Sequence, residues 1–274
     1  MRSFGIAAPV GALKARLGEG PRWDAEAQRL LWVDIDGGLL HAGDRTIEGG
    51  AKVCAAAPWR GDTVLVALAD ALAASDVSDG SVRRLVDIPH AQPGMRCNDG
   101  ACDAQGRFWI GTMAEDETPA AGALYRYDPD GTLHTVLTDI TLSNGLGWDA
   151  DGRRMYYVDS PTQRIDVLDF DGASGTVANR RPFAAIPEAD GIPDGLAVDD
   201  EGGIWVALYG GGEVRRFDAD GAVSGQVEVP VPKVTACCFA GNRLYVTARE
   251  GLFELDVPYS GPPARPFGGT PPTA

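Results

Sequence analysis

An acid or amide followed by glycine recurs in register along this 274-residue chain, and it constrains the fold more than any other feature. The pairs are Glu19-Gly20, Asp99-Gly100, Asn144-Gly145 and Asp194-Gly195. Each opens a small or apolar stretch that leads to an Asp, a turn and a run with a large aromatic. Asp24 leads in this way to Trp32, Asp103 to Trp109, Asp149 to Tyr157 and Asp199 to Trp205, while Tyr245 follows a turn with no acid ahead of it. The aromatics stand 77, 48, 48 and 40 residues apart, so the first gap is close to two periods. A weaker copy is therefore expected inside it, at Gly61–Ala67.

A period of about 40–50 residues, built from short strands and Asp-Gly turns, is the sequence form of a propeller blade. Six copies predict an all-β, six-bladed β-propeller that takes up residues 1–274 as a single domain. Short runs such as Gly122–Tyr127, Arg164–Phe170 and Glu213–Phe217 supply further strands of the blades. Trp32, Trp109, Tyr157 and Trp205 are expected in blade cores, as large aromatic groups usually are. The first fifteen or so residues are candidates to add a strand to the last blade and close the ring. The Pro- and Gly-rich stretch 261–274 is expected to be a loosely ordered tail.

Equivalent positions in a closed ring converge on its axis. The innermost strand of a blade lines the central channel, so a residue just ahead of Gly at its start lies at the channel mouth. Glycine there lets the backbone approach closely or take an unusual φ. Glu19, Asn144 and Asp194 would face one another, offering oxygen donors with a summed charge of −2. That suits one hard divalent cation, Ca²⁺, Mg²⁺ or Mn²⁺, with Zn²⁺ and Fe²⁺ left open. A single Asp-Gly or Asn-Gly pair is only a turn signal, as at Asp130-Gly131, Asp151-Gly152 and Asp220-Gly221. Register with the blades is what sets the inner pairs apart.

The formal net charge of −15 speaks against partners such as nucleic acid or anionic membranes. No apolar run reaches membrane-spanning length, and the N-terminus lacks a sustained apolar segment. Five cysteines, an odd number with no C-x-x-C pair, fit a reduced, cytoplasmic setting. The oligomeric state is left open. His41, His90 and His134 fall in turns or outer strands, and there is neither a G-x-S-x-G elbow nor a phosphate-binding glycine loop. Cys97 lies between Arg96 and Asn98, where strand alternation turns it away from the channel and into the core.

Six dispersed motifs carry a resemblance. They are Leu17-Gly-Glu19-Gly-Pro-Arg-Trp23, Arg96-Cys-Asn98-Asp-Gly100, Gly111-Thr-Met-Ala-Glu115, Ser143-Asn-Gly145, Ile192-Pro-Asp-Gly195 and Cys237-Cys-Phe239. Together, and in this order, the chain resembles the senescence marker protein, regucalcin and gluconolactonase family. That resemblance implies a six-bladed propeller with one divalent metal ion in its channel, held by Glu19, Asn144 and Asp194. It implies that Arg96 and Asn98 contact the substrate, and that an acidic contact from a lid falls on Asp116, with a shorter side chain than the Glu of some relatives. The segment 115–122 is also a short lid. Asp99, in register with the ligands, is read as a supporting group that holds Arg96 or an ordered water.

The reaction implied is hydrolysis of a small-molecule sugar lactone to the aldonic acid. The metal would polarise the carbonyl, and Asp194 would be the general base for water. Two other readings stand beside it: a calcium-binding regulatory protein of the regucalcin type, and a metal-dependent phosphotriesterase. Which sugar lactone is taken is not read from these residues.

Overall fold

Six sheets follow one another along the chain, and four of them begin with an inner strand that carries an acid- or amide-glycine pair. The computed structural model describes residues 2–12 and 14–272; the last two residues of the expected tail, 273 and 274, lie outside the described residues. Blade 1 comprises Gly18–Asp24, Arg29–Asp34, Leu39–Ala42 and Arg45–Glu48. Blade 2 begins with Val53–Arg60 and Thr63–Leu68, so the weak copy at Gly61–Ala67 is a true blade. The inner strands of blades 3, 4 and 5 are Met95–Cys102, Ser143–Trp148 and Ile192–Val198. Blade 6 starts with Val234–Ala248, which doubles back near Gly241 (φ 65°), since Arg249 N bonds Lys233 O at 2.8 Å. The result is a six-bladed β-propeller, and among the described residues there is no α-helix.

The Asp-turn-aromatic repeat has a physical meaning at the lower end of the channel. Asp103 closes the turn between the first two strands of blade 3 by accepting Arg107 N at 3.1 Å, and it also accepts Trp109 Nε1 at 2.9 Å. Asp199 repeats this in blade 5, accepting Gly203 N at 2.7 Å and Trp205 Nε1 at 2.8 Å. Each acid thus satisfies the one polar group of a fully buried indole. At the upper end a second set of acids works on the entry loops. Asp34 accepts Arg16 N and Leu17 N, both at 3.0 Å, and Asp159 accepts Leu142 N at 2.9 Å. These bonds fix the backbone just ahead of Glu19 and Asn144.

Ring closure meets the expectation at blade 6 and adds a second tie at blade 5. The N-terminal residues serve two blades: Arg2–Ile6 runs parallel to the outer strand of blade 5, and Ala8–Pro9 pairs with Gly251–Gly261 of blade 6. Phe4 explains the first docking, because its ring packs 5.4 Å from that of Trp205. The stretch after Gly261 is not loose over its described length. It crosses the lower face as an extended strap, bonding Trp23 O, Pro58 O and Gly106 O through Ala264 N, Phe267 N and Gly268 N. Phe267 is buried between Trp59 and Tyr127, with ring centroids at 4.9 and 5.3 Å, and Trp59 Nε1 donates to Gly269 O at 2.6 Å. A Pro-rich composition reads as disorder only until two aromatic pockets receive its one large apolar residue.

Candidate active site

Each inner strand slips register by one residue where its acid or amide stands. The slips lie between Glu19 and Arg22, Cys97 and Gly100, Ser143 and Leu146, and Pro193 and Leu196. A β-bulge breaks strict alternation and re-aims side chains, so consecutive residues can both point into the channel. The paired glycines serve different ends. Gly20 takes φ 51°, a left-handed conformation. Gly145 and Gly195 instead allow close approach of neighbouring inner strands: a Cβ at Gly145 would meet Asp194 O at 2.6 Å, and one at Gly195 would meet the Ala236 Cβ at 2.4 Å. Any larger residue would push the candidate ligands apart.

Glu19, Arg96, Asn98, Asp99, Asn144 and Asp194 are all buried in the channel. Blades 3 and 4 are linked side chain to side chain. Asn98 Nδ2 donates to Asn144 Oδ1 at 2.9 Å and to Ser143 O at 2.7 Å, and Asn98 Oδ1 accepts Arg96 Nη1 at 2.6 Å. Asn144 Nδ2 in turn donates to Ser160 Oγ at 2.8 Å, and Ser160 Oγ donates to Pro193 O at 2.7 Å. The chain Arg96–Asn98–Asn144–Ser160 therefore sets which end of the Asn144 amide each neighbour meets.

The carboxylates are strained electrostatically. Glu19 is pushed up to about 8, first by burial and then by the charge of Asp99. Asp194 is raised well above the carboxylate range by burial and by the charges of Glu19 and Asp99. Its Oδ1 is buried without a hydrogen-bond partner. An orphaned carboxylate oxygen beside a second desolvated carboxylate is costly unless a cation or proton compensates it. Two carboxylates and one amide oxygen fit a hard divalent cation. Among the described residues there is no group of three or more His, Cys, Asp or Glu side chains that could hold a metal ion, so the amide of Asn144 would have to complete the set.

Two expectations need correction. Asp99 does not hold Arg96: its Oδ1 pairs with Arg22 Nη2 at 3.1 Å, and Arg96 bonds Asn98 and Cys97 O instead. Asp116 is exposed and not gathered with the channel residues. Its Oδ1 accepts Thr118 N at 3.0 Å and Thr118 Oγ1 at 2.7 Å, closing a turn of its own loop. The neighbouring Glu115 is also occupied, paired with Lys52 at 2.8 Å. The histidines stand outside the site. His41 is stacked on Trp32, His90 bonds Ala69 O, and His134 pairs with Asp128. Cys97 is buried in the core, as alternation predicts.

Three contributors escaped the sequence reading. Ser160 follows an ordinary strand end, and its role needs the fold. Arg22 lies inside a motif already singled out, but its partner is 77 positions away. Cys54 occupies the register slip of blade 2 and lies beside Arg96, whose charge opposes the rise in its pKa that burial causes.

Comparison with known proteins supplies the family. Residues 17–250 match the model of the SMP-30/Gluconolactonase/LRE-like region. The chain belongs to this family. It is 38% identical over 280 residues to the pentonolactonase XacC of Haloferax volcanii, across 90% of this chain and 93% of that protein. It matches the crystal structure of a calcium-binding protein, regucalcin, from Agrobacterium tumefaciens with a TM-score of 0.89 and 27% identity, over 97% and 99% of the two chains. A gluconolactonase from Xanthomonas campestris matches with a TM-score of 0.74 and 26% identity, over 89% and 87%.

Proposed function

We propose that the chain is a sugar lactonase that opens an aldonolactone to the aldonic acid with the help of one divalent cation. The observation that carries this is the buried, unpartnered Oδ1 of Asp194 in a channel shared with Glu19, Asn144, Arg96 and Asn98. Family relatives named as a pentonolactonase and a gluconolactonase support the reaction class. Glu19, Asn144 and Asp194 would hold the cation. When bound, it would polarise the lactone carbonyl and stabilise the charge that develops on its oxygen.

The remaining steps belong to the side chains. Asp194 would accept a proton from water as water adds to the carbonyl carbon. It returns that proton to the ring oxygen as the ring C–O bond breaks. Burial and the charges of Glu19 and Asp99 raise the pKa of Asp194, and a bound cation would moderate that rise. Arg96 spends Nη1 on Cys97 O and Asn98 Oδ1 and also bonds the Cys54 side chain, so the donors that remain would meet lactone oxygens. Asn98 has both amide protons engaged, so it meets a substrate hydroxyl as an acceptor through Oδ1. Asp116 holds Thr118 through Oδ1, so Oδ2 would be the oxygen it offers to substrate.

The test is acid release from a panel of aldonolactones, with spontaneous opening subtracted, before and after EDTA and after return of Ca²⁺, Mn²⁺ or Zn²⁺. Turnover that depends on metal supports the proposal. If the metal-loaded protein leaves every lactone at the spontaneous rate, the lactonase reading is overturned. Asp194→Ala is expected to abolish turnover, and near-normal activity in that variant removes Asp194 from the mechanism.

A further inference from the structure

The mouth of the channel is unequal on its two sides. On blade 3, which carries Arg96 and Asn98, the lid segment 115–122 is drawn toward blades 1 and 2 by Lys52, whose Nζ pairs with Glu115 at 2.8 Å and with Asp36 at 3.2 Å. In a ring of six blades, blade 6 stands opposite blade 3. There Lys233 lies just ahead of Val234–Ala248 and Arg249 just after it, joined by the bond from Arg249 N to Lys233 O at 2.8 Å. Arg249 O in turn accepts Gly18 N at 3.3 Å, which brings blade 1 and Arg16 into the same stretch of rim. That stretch borders the site, because Gly18 adjoins Glu19. Arg16 is three residues from Glu19, at most about 11 Å along the chain.

Three cations are thus gathered on backbone next to the candidate ligands. Arg16 and Arg249 are exposed, and Lys233 is half-buried. Among the described residues none of the three forms an ion pair, whereas Lys52 and Arg215, also at this end, are each held by two acids. Lys233 Nζ lies 5.6 Å from the centre of the Tyr209 ring, a contact that places the ammonium without neutralising it. Of the acids nearby, Asp34 spends its carboxylate on Arg16 N, Leu17 N and Gly37 N, and Asp190 pairs with Arg215. Glu250 stays exposed beside Arg249. A chain of net charge −15 repels anions at long range, so uncommitted cations at the mouth supply a local attraction where a substrate must enter.

We propose that Arg16, Lys233 and Arg249 form an anion subsite on the rim, and that the lactone taken carries a phosphate or carboxylate at the end remote from its carbonyl. A lactone held by Arg96 and Asn98 on the blade 3 side has that end free toward blade 6, away from the lid. The substrate class rests on the lactonase reading, and the experiment separates the two. kcat/KM is measured for glucono-1,5-lactone, its 6-phosphate and a glucarolactone with a free carboxylate, at low and high salt, with spontaneous opening subtracted. At least one anionic lactone is expected to exceed the neutral one about tenfold or more, the worth of a charged hydrogen bond. Salt should narrow the gap, because the rim is open to solvent. The arm that gains identifies the group as phosphate or carboxylate. The double variant Lys233→Met, Arg249→Met is expected to remove the gap through a raised KM for the anionic lactone, with its kcat kept. Glu250→Gln is expected to widen the gap. Equal values for neutral and anionic lactones in wild type overturn the subsite, as does a gap that survives in the double variant. If no lactone is opened, the lactonase reading falls and binding decides the subsite. Calorimetry should then show gluconate 6-phosphate or glucarate bound more tightly than gluconate in wild type and not in the double variant, and equal affinities in wild type overturn the proposal.

Discussion

The side-chain amide of Asn98 donates to Oδ1 of Asn144 across 2.9 Å, so a residue of blade 3 orients a candidate ligand carried by blade 4. Asn98→Asp replaces that donor with an acceptor and favours the flipped amide of Asn144. The oxygen then leaves the channel side. A loss of about 10–100-fold in metal affinity is expected, as for other groups that orient ligands. Calorimetric titration with Ca²⁺ or Mn²⁺ reads it, and unchanged affinity would show that Asn144 keeps its orientation without Asn98.

Ser160 fixes the other end of the same amide. Ser160→Ala leaves Asn144 Nδ2 and Pro193 O without their partner, a loss of about 1–3 kcal/mol for each buried group left unmade. The expected result is a lowered melting temperature together with weaker metal binding. A fall in stability alone, at full metal affinity, would confine Ser160 to packing.

Acidity offers a test without substrate. Glu19 sits at about 8 in the folded chain and Asp194 is also raised, whereas both return to about 4 on unfolding. Between those values the unfolded chain binds fewer protons than the folded one. Stability of the metal-free protein therefore falls as pH rises from about 4.5 to about 8, the window set by Glu19. Thermal melts in EDTA across pH 5–9 should show this slope, with a shallower one in Glu19→Gln. Metal affinity should rise over the same window, because the ion displaces protons. A flat profile for the stripped protein would mean that these carboxylates are not proton-bound when metal is absent.

Asp199 makes the contrasting case, far down the blade. It is fully buried and accepts from Trp205 Nε1, Gly203 N and Arg216 Nε. Asp199→Ala strands a buried guanidinium and an indole N–H, and about 3–5 kcal/mol of stability should be lost. Denaturant unfolding measures this. At a temperature where the variant stays folded, its metal affinity should match wild type, since none of these bonds touches the channel mouth.

Much of this molecule was written in its repeats. The aromatic spacing located the blades because each of Trp32, Trp109, Tyr157 and Trp205 stands on the second strand of its blade, and the acid-glycine pairs located the channel because each marks an inner strand. What stayed hidden depended on contacts between blades. Asp99 and Asn98 are adjacent, and strict alternation allows only one of them to face inward; the bulge after Cys97 brings both in. No sequence pattern reveals that Asp116 closes a turn on Thr118 through Oδ1. Ser160 and Arg22 carry no local mark, since their partners come from other strands and blades.

The strap adds a mechanical consequence. The N-terminal strand is sewn to blade 5, while the last described residues are sewn across blades 1, 2 and 3. Blades 1, 2, 3, 5 and 6 each carry such a tie, and none of these can peel away without undoing it. Unfolding should therefore run as one concerted event rather than as the stepwise fraying of an open repeat array, and clipping the strap should convert a sharp melt into a broad one.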